Sequence, residues 1–499
     1  MVETYAPARQ RDAVPSLLTA AGFAFLAAAM SAGGMPAAAC AGVAGLFFLG
    51  AVAVRAPFVP WGMVLGALVL VILFLPIRRY QLPGDLPFQL EPYRVLVALI
   101  FAAWMASLLA DDQVRLRRSG LEGPIALVVA ATVGSVVVNP GRFAAVEPTA
   151  LKTVTFFLSF VVVFYLVVSV VPSRQAADGV IKLLVGGGAV LAGLAVIEAR
   201  AGITPFTHLD QVLPFLSLDP SFGGDLGRGG SVRAYGSAEH PIALGAALVL
   251  LVPLALYVVR VASARWYLAL GALVVGVLAT VSRTGILMLI VIGAVFLALR
   301  PRETRRLWPL LLPIVVATHF AVPGTLGSIT AAFFPEGGLL AEQDVRSGDC
   351  NADGRIADLG PTLAEVAKRP LLGHGYGTRI VTGPNSNGCI LDNQWLGTLH
   401  DIGIVGALAW LWLFLAVLRR IGGAGKHDPS PAGWLGVAVA ASTSAYAVGM
   451  FTFDAFSFIQ VTFLLFILFG LGAAVWQSGR QPSSAARMGW NPPGSAGRA

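Results

Sequence analysis

Three arginines stand where phosphate chemistry can be done. Arg233 lies in SVRAYGSAEHPIALGAAL, just ahead of an apolar run. Arg283 sits in TVSRTGIL, between two apolar runs with almost no loop around it, and Arg355 lies in a long polar insertion. A guanidinium meets phosphate oxygens through two parallel hydrogen bonds and keeps its charge at any physiological pH. An arginine at membrane depth is costly unless paired, so it marks a polar cavity or an anionic ligand. Three such groups converging at a bilayer surface suit a lipid-linked phosphate. The plainer alternative is that each one snorkels to the interface or pairs with a nearby carboxylate.

Candidate acids and bases occupy the same segments: Glu239, His240, His374, Asp392, His400 and Asp401. Each is of a type that can move a proton at a reacting hydroxyl. Asp392 reads either as such a base or as a cap for the helix beginning near Asn393. Glu239 and His240 precede Pro241, a common way to start a helix, so they too carry a structural reading beside the chemical one. The stretch from Asp349 to Gly354 looks like the first half of a calcium loop. Ala357 and Gly360 fall at its ninth and twelfth positions, so the bidentate ligand is missing and no metal is assigned.

These residues need elements that hold them at a membrane surface. Of 499 residues, 57% are hydrophobic and only 12% charged, with a mean hydropathy of +0.78. A soluble domain of that length carries more surface charge, whereas a bilayer lets the charges concentrate in loops. The fold class expected is therefore an all-α polytopic membrane protein. Apolar runs predict about fourteen spans, near 14–34, 37–54, 58–76, 92–110, 124–138, 151–171, 180–199, 241–259, 266–282, 284–299, 307–323, 402–418, 433–451 and 458–476.

The net charge is +8, and the basic residues sit in short gaps between apolar runs. That is the positive-inside bias of membrane proteins and not a nucleic-acid footprint. Alternate gaps hold Arg55, Arg115, Arg117, Arg118, Arg174, Arg260, Arg265, Arg300 and Arg419, among others, which places that side and both tails in the cytoplasm. The main violation is Arg78–Arg79, in a gap that the alternation puts outside.

The organisation follows: a cytoplasmic tail at 1–13, spans through 323 with an outer loop at 200–240, an extracytoplasmic cap at 324–395, further spans at 396–476, and a disordered cytoplasmic tail at 477–499. The first span reads as a retained anchor, since no cleavage site precedes the next one. Within the cap, Leu359, Leu363 and Val366 fall at helical spacing with Pro361 near the start, which predicts a helix with an apolar stripe against the membrane face. The cap is expected to be partly ordered as a lid. Cys40 reads as a small buried hydrophobe. Cys350 and Cys389 both fall in the long outer segment, where oxidation is permitted, and are expected to form a disulfide unless they remain two free thiols.

Four segments carry a family resemblance. RAYGSAEHPIALGAALVLLVPLAL resembles the Gly-x-x-x-His/Asn-Pro helix start of the O-antigen ligase and O-antigen polymerase family, and TVSRTGILMLIVIGAVFLAL resembles its Ser-Arg-small helix. GRIADLGPTLAEVAKRPLLGHGYGT, followed by LDNQWLGTLHDIGIVGALAWLWLFL, is similar to its signature. That signature is an Arg-started helix, then Pro-x-x-Gly-x-Gly, then His-Asn-x-x-Leu, then Glu-x-Gly-x-x-Gly. The match runs in order over residues 230–420.

The resemblance implies a metal-independent, cofactor-free glycosyltransferase of the bacterial inner membrane, with its active site on the outer face. Its partners would be the lipid bilayer, a glycan donor on a polyprenyl diphosphate such as undecaprenyl diphosphate, and a glycan or glycolipid acceptor. The product would be a lipopolysaccharide or exopolysaccharide. It assigns Arg233, Arg283 and Arg355 to the diphosphate. It makes Asp392, Glu239 and His240 the candidates to activate the acceptor, with Asn393 and Asp401 in support. The family pattern has a histidine where this chain has Asp392, which moves the reading from a ligase alone to a ligase- or polymerase-type transferase. The competing reading is a many-span transporter of small anions or glycans. A transporter places ionisable groups at mid-membrane within broken helices, whereas here the polar groups crowd one face. A scaffold for envelope assembly is a third reading.

Overall fold

The protein is described by a computed structural model over residues 60–82, 91–110, 114–214, 216–218, 232–335, 338, 356–381 and 386–479. The predicted spans 14–34 and 37–54, Arg355, Cys350, most of the insertion beyond 335 and the tail from 480 lie outside the described residues.

The described residues are mostly helical, with only one two-residue strand pair among them, Tyr80–Gln81 against Ser217–Leu218. Each predicted span from 58–76 onward meets a helix. Five helices are long and apolar enough to cross a membrane: Thr149–Val170, Arg174–Ala201, Pro241–Val261, Gln394–Gly425 and Ile459–Ser478. A sixth candidate is Pro301–Ala321 together with Thr325–Phe333, bent by 108° at Gly324, whose φ is +84°. Five further apolar helices are shorter: Trp61–Phe74, Pro92–Leu108, Glu122–Val137, Ala264–Ala279 and Arg283–Leu299. Among the described residues, the predicted spans from 58–76 onward thus meet five helices of full length and otherwise shorter or bent ones, because hydropathy marks apolar segments and not how far each stays helical.

Pro241–Val261 and Ile459–Ser478 form the centre and are buried on nearly every side. The first packs against Arg174–Ala201, Tyr267–Ala279, Arg283–Leu299 and Pro431–Gly449, and the second against Glu147–Val170. A helix that is apolar all round must be enclosed by others or by lipid.

Local sequence sets the helix starts. His240 Nδ1 accepts from Ile242 N at 3.2 Å ahead of Pro241. Ser282 Oγ accepts from Gly285 N at 3.3 Å, and Asn393 Oδ1 from Leu396 N at 3.1 Å. Each satisfies an N–H that the first turn leaves without a partner. The cap of the Gln394 helix is therefore Asn393, and Asp392 is released from that role. The expected helix of the insertion is present as Leu359–Lys368, and of its apolar stripe only Val366 is buried. Thr362 and Val366 are buried, whereas Leu359 and Leu363 are 38% and 49% exposed.

Candidate functional site

The polar loops between helices sort into two groups that bond within themselves. One group gathers 76–82, 91–94, 139–152, 232–240, 279–284, 370–401 and 449–458 at one end of the bundle. It is the set of gaps that the charge alternation places together on one side.

At its centre stands Glu91, buried, whose Oε2 accepts from the Arg78 backbone N at 2.8 Å. Arg94 Nη2 lies 3.1 Å from its Oε1, and Lys152 Nζ lies 4.0 Å from the same oxygen. Arg78 Nη1 reaches Glu239 Oε2 at 3.4 Å. The guanidiniums of Arg78 and Arg94 lie 5.6 and 4.4 Å from the centre of the Phe156 ring. Three cations thus face two carboxylates, leaving a positive field at a partly open surface. Burial raises Glu239 to about 7 despite the opposing pull of Arg78.

A buried arginine fixes this loop. Arg79 Nη1 donates to Gly236 O at 3.1 Å and Nη2 to Ala238 O at 2.5 Å, and the Glu198 carboxylate accepts from Tyr235 N at 3.2 Å and Gly236 N at 2.8 Å. The segment carrying Arg233 is thereby held against the turn before Arg283. Ala234 N donates to Ala279 O at 3.3 Å and Arg233 Nε to Thr280 O at 3.1 Å. The turn itself holds Val281 in the left-handed region at φ +46°, which a β-branched residue does not adopt unless its surroundings impose it. His240 stacks on Phe458, 6.0 Å between ring centres.

The second half of the site is a broken helix. Gln394–Val417 is interrupted at Gly403, with φ +69° and ψ −170°. The glycine-rich loop RPLLGHGYGT plugs the break. His374 N donates to His400 O at 2.9 Å and Gly375 N to Asp401 O at 3.1 Å, while Ile404 N donates to Pro370 O at 2.8 Å and Val405 N to Leu371 O at 3.2 Å. Ser135 Oγ also donates to Asp401 O at 2.6 Å. A Cβ on Gly373 would lie 2.6 Å from the Asp401 and His400 carbonyl oxygens, and its φ is +68°. The spacing of glycines in this stretch is therefore what lets backbone meet backbone.

Around the break, Arg379 Nε lies 3.5 Å from Asp401 Oδ1, and Arg379 Nη1 donates to Cys389 O at 2.9 Å. His400 Nδ1 shares Asp401 Oδ1 at 2.7 Å, and the rings of His400 and His374 stack 4.8 Å apart. Asp454 lies within electrostatic reach of Arg78, Arg379, Asp392 and Asp401, which joins the two halves. Burial pushes its carboxyl up, against the pull of Arg379. Cys389 is disulfide-bonded.

Glu239 and Asp392 thus belong to one end of the bundle, and Arg233 and Arg283 to adjoining backbone there. Asp401 anchors the break through its carbonyl and carboxylate. Sequence reasoning missed Arg94, Lys152, Glu91, Arg379 and Asp454, which lie in no motif. Arg78 had a signal: it violates the charge alternation, and such local inconsistencies concentrate at functional sites.

A family model described as O-antigen ligase matches residues 268–411. That range takes in Arg283, the glycine-rich plug, Arg379, Asp392 and the break at Gly403. No curated protein matches the chain.

Proposed function

We propose that this member of the O-antigen ligase family, matched over residues 268–411, transfers a glycan from a polyprenyl diphosphate to an acceptor hydroxyl at the outer face of the bacterial inner membrane. The observation that carries this reading is the gathering of Arg78, Arg94 and Lys152 around Glu91 and Glu239, beside the segments of Arg233 and Arg283. The acceptor oxygen attacks the anomeric carbon as the bond to the diphosphate oxygen breaks, and charge builds on the departing diphosphate. Fixed, partly buried cations stabilise that charge without reorganising. Arg78, Arg94 and Lys152 join Arg233, Arg283 and Arg355 as the groups that would meet it.

The acceptor proton needs a base poised near neutral pH. Glu239, held at about 7, fits that demand. Asp392, freed from capping and facing Asp454, orients the acceptor or shares the proton. The broken helix at Gly403 is the feature that most favours transport. Its freed backbone groups, however, bond to residues 370–375 and to Ser135, so they are not presented to a substrate.

Purified protein in proteoliposomes, given a polyprenyl-diphosphate glycan and a glycan or glycolipid acceptor, should form the transferred product. Facilitated movement of the glycan across the bilayer with no new glycosidic bond would replace the transferase reading with transport.

A further inference from the structure

A groove of about 850 Å³ opens on the outside of the bundle between Arg174–Ala201 and Tyr267–Ala279, at the end opposite Glu239. Its rim holds Lys182, Arg265, Ser263 and Trp266, and its floor runs past Val190 and Ala272. Among the described residues no carboxylate lines it. The nearest acid along the helix, Asp178, is taken by Arg174 at 2.7 Å and by the Tyr257 hydroxyl.

Lys182 is the unusual member. It is exposed on the outer surface, about 12 Å along the axis from Arg174 at 1.5 Å per residue, in a helix long and apolar enough to span. At the edge of the predicted span 180–199 such a cation reaches the headgroup level, by snorkelling or by pairing with an anion. Arg265, bonded to Ser263 Oγ at 3.1 Å, brings a second cation to the same rim, and Trp266 is a residue type that prefers the headgroup level. Val190 and Leu268 are 57% and 81% exposed, so the surface below the cations is apolar and open.

We infer that this groove is a binding site for an anionic phospholipid, with its phosphodiester between Lys182 and Arg265 and an acyl chain along Val190 and Ala272. A soluble phosphate lacks the chain that the floor accommodates, and a zwitterionic lipid carries an ammonium that two cations repel. The site lies far from the Arg78–Glu239 cluster and does not depend on the transfer reaction.

Native mass spectrometry of the full chain with phosphatidylglycerol or phosphatidylcholine tests it. Phosphatidylglycerol should be retained over phosphatidylcholine, and the K182Q/R265Q variant should weaken that retention by about fivefold for each cation removed. Glycerol phosphate should not compete. Equal retention of both lipids, competition by glycerol phosphate, or unchanged binding by the double variant would overturn the site. Should that variant fail to fold, a photoreactive phosphatidylglycerol on the wild-type chain decides the matter. Adducts on 182–190 and 262–272 are expected, and adducts confined to other surfaces refute it.

Discussion

The two ends of the helix bundle use their arginines differently. At the end opposite Glu239, Arg300 donates to Gly425 O at 2.7 Å and to Asp428 O, and Arg420 donates to Gly120 O. Arg260 and Arg300 also lie over the Trp434 ring, at 5.7 and 5.1 Å. Arg300 and Arg420 thereby satisfy carbonyls of the turns between helices, a structural use of charge. At the Glu239 end, Arg79 does the same for Gly236 and Ala238. Arg78, Arg94 and Lys152 instead ring two carboxylates and an aromatic face, with side chains 39%, 20% and 29% exposed. A buried cation bonded through both terminal nitrogens to carbonyls, as Arg79 is, serves as scaffolding, whereas partly open cations set against carboxylates can receive an anion.

The largest test of that contrast is Glu239→Gln against Asp392→Asn. Glu239→Gln should lower transfer by about two to four orders of magnitude with the fold kept, the loss expected for a general base. A greater loss in Asp392→Asn, measured in the same proteoliposome assay, would move the base to Asp392. In the wild type, Glu239 must be deprotonated to accept a proton, so transfer should rise as pH passes through about 7 and level off above it. Its raised carboxyl also carries a stability consequence. Protonated Glu239 is favoured in the folded protein, so its contribution is full below the unfolded carboxylate range and is lost as pH climbs through about 7.

Next comes the bridge at Cys389, which we propose is made to Cys350. The loop closed would be about forty residues, and the chain-entropy relation gives roughly 4 kcal/mol. Mass spectrometry of non-reduced protein should find one cross-linked peptide joining them, and alkylation of Cys350 without prior reduction would exclude the pairing.

Gly373→Ala should follow, destabilising by about 1–3 kcal/mol through left-handed backbone strain and the clash with the His400 and Asp401 carbonyls. Thermal unfolding in detergent reads this directly, and an unshifted midpoint would mean that the plug does not hold the broken helix.

The smallest and most discriminating shift is that of the pH–rate midpoint in Arg78→Gln, read apart from the fall in rate that losing a diphosphate-facing cation brings. Losing the cation that opposes burial raises Glu239 further, so the pH–rate midpoint should move to the alkaline side. Arg300→Gln, at the other end, should lower stability and leave that midpoint where it was. Equal shifts in both variants would erase the distinction between the two ends.

Hydropathy and caps in the sequence determined that most of this chain is apolar helix and that helices begin at Pro241, Arg283 and Gln394, while the family resemblance ran through Arg283 and the glycines at 373–377 to Asn393, with Asp392 as its departure. These are local properties: a run of apolar side chains leaves water wherever it lies, and Ser282 or Asn393 caps the turn that follows it. The sequence also flagged Arg78–Arg79 as out of place without saying why. Only the tertiary structure decided that Arg78 meets Glu239 across 161 positions of chain, that Glu91 gathers Arg94 and Lys152, and that residues 370–375 fill a break at Gly403. It also decided that Leu359 and Leu363 face outward. Periodicity places a stripe on a helix but not the surface that covers it. Ion pairs between distant loops leave no periodic trace, because a charge is chosen by what stands opposite it and that neighbour is set by how the helices pack.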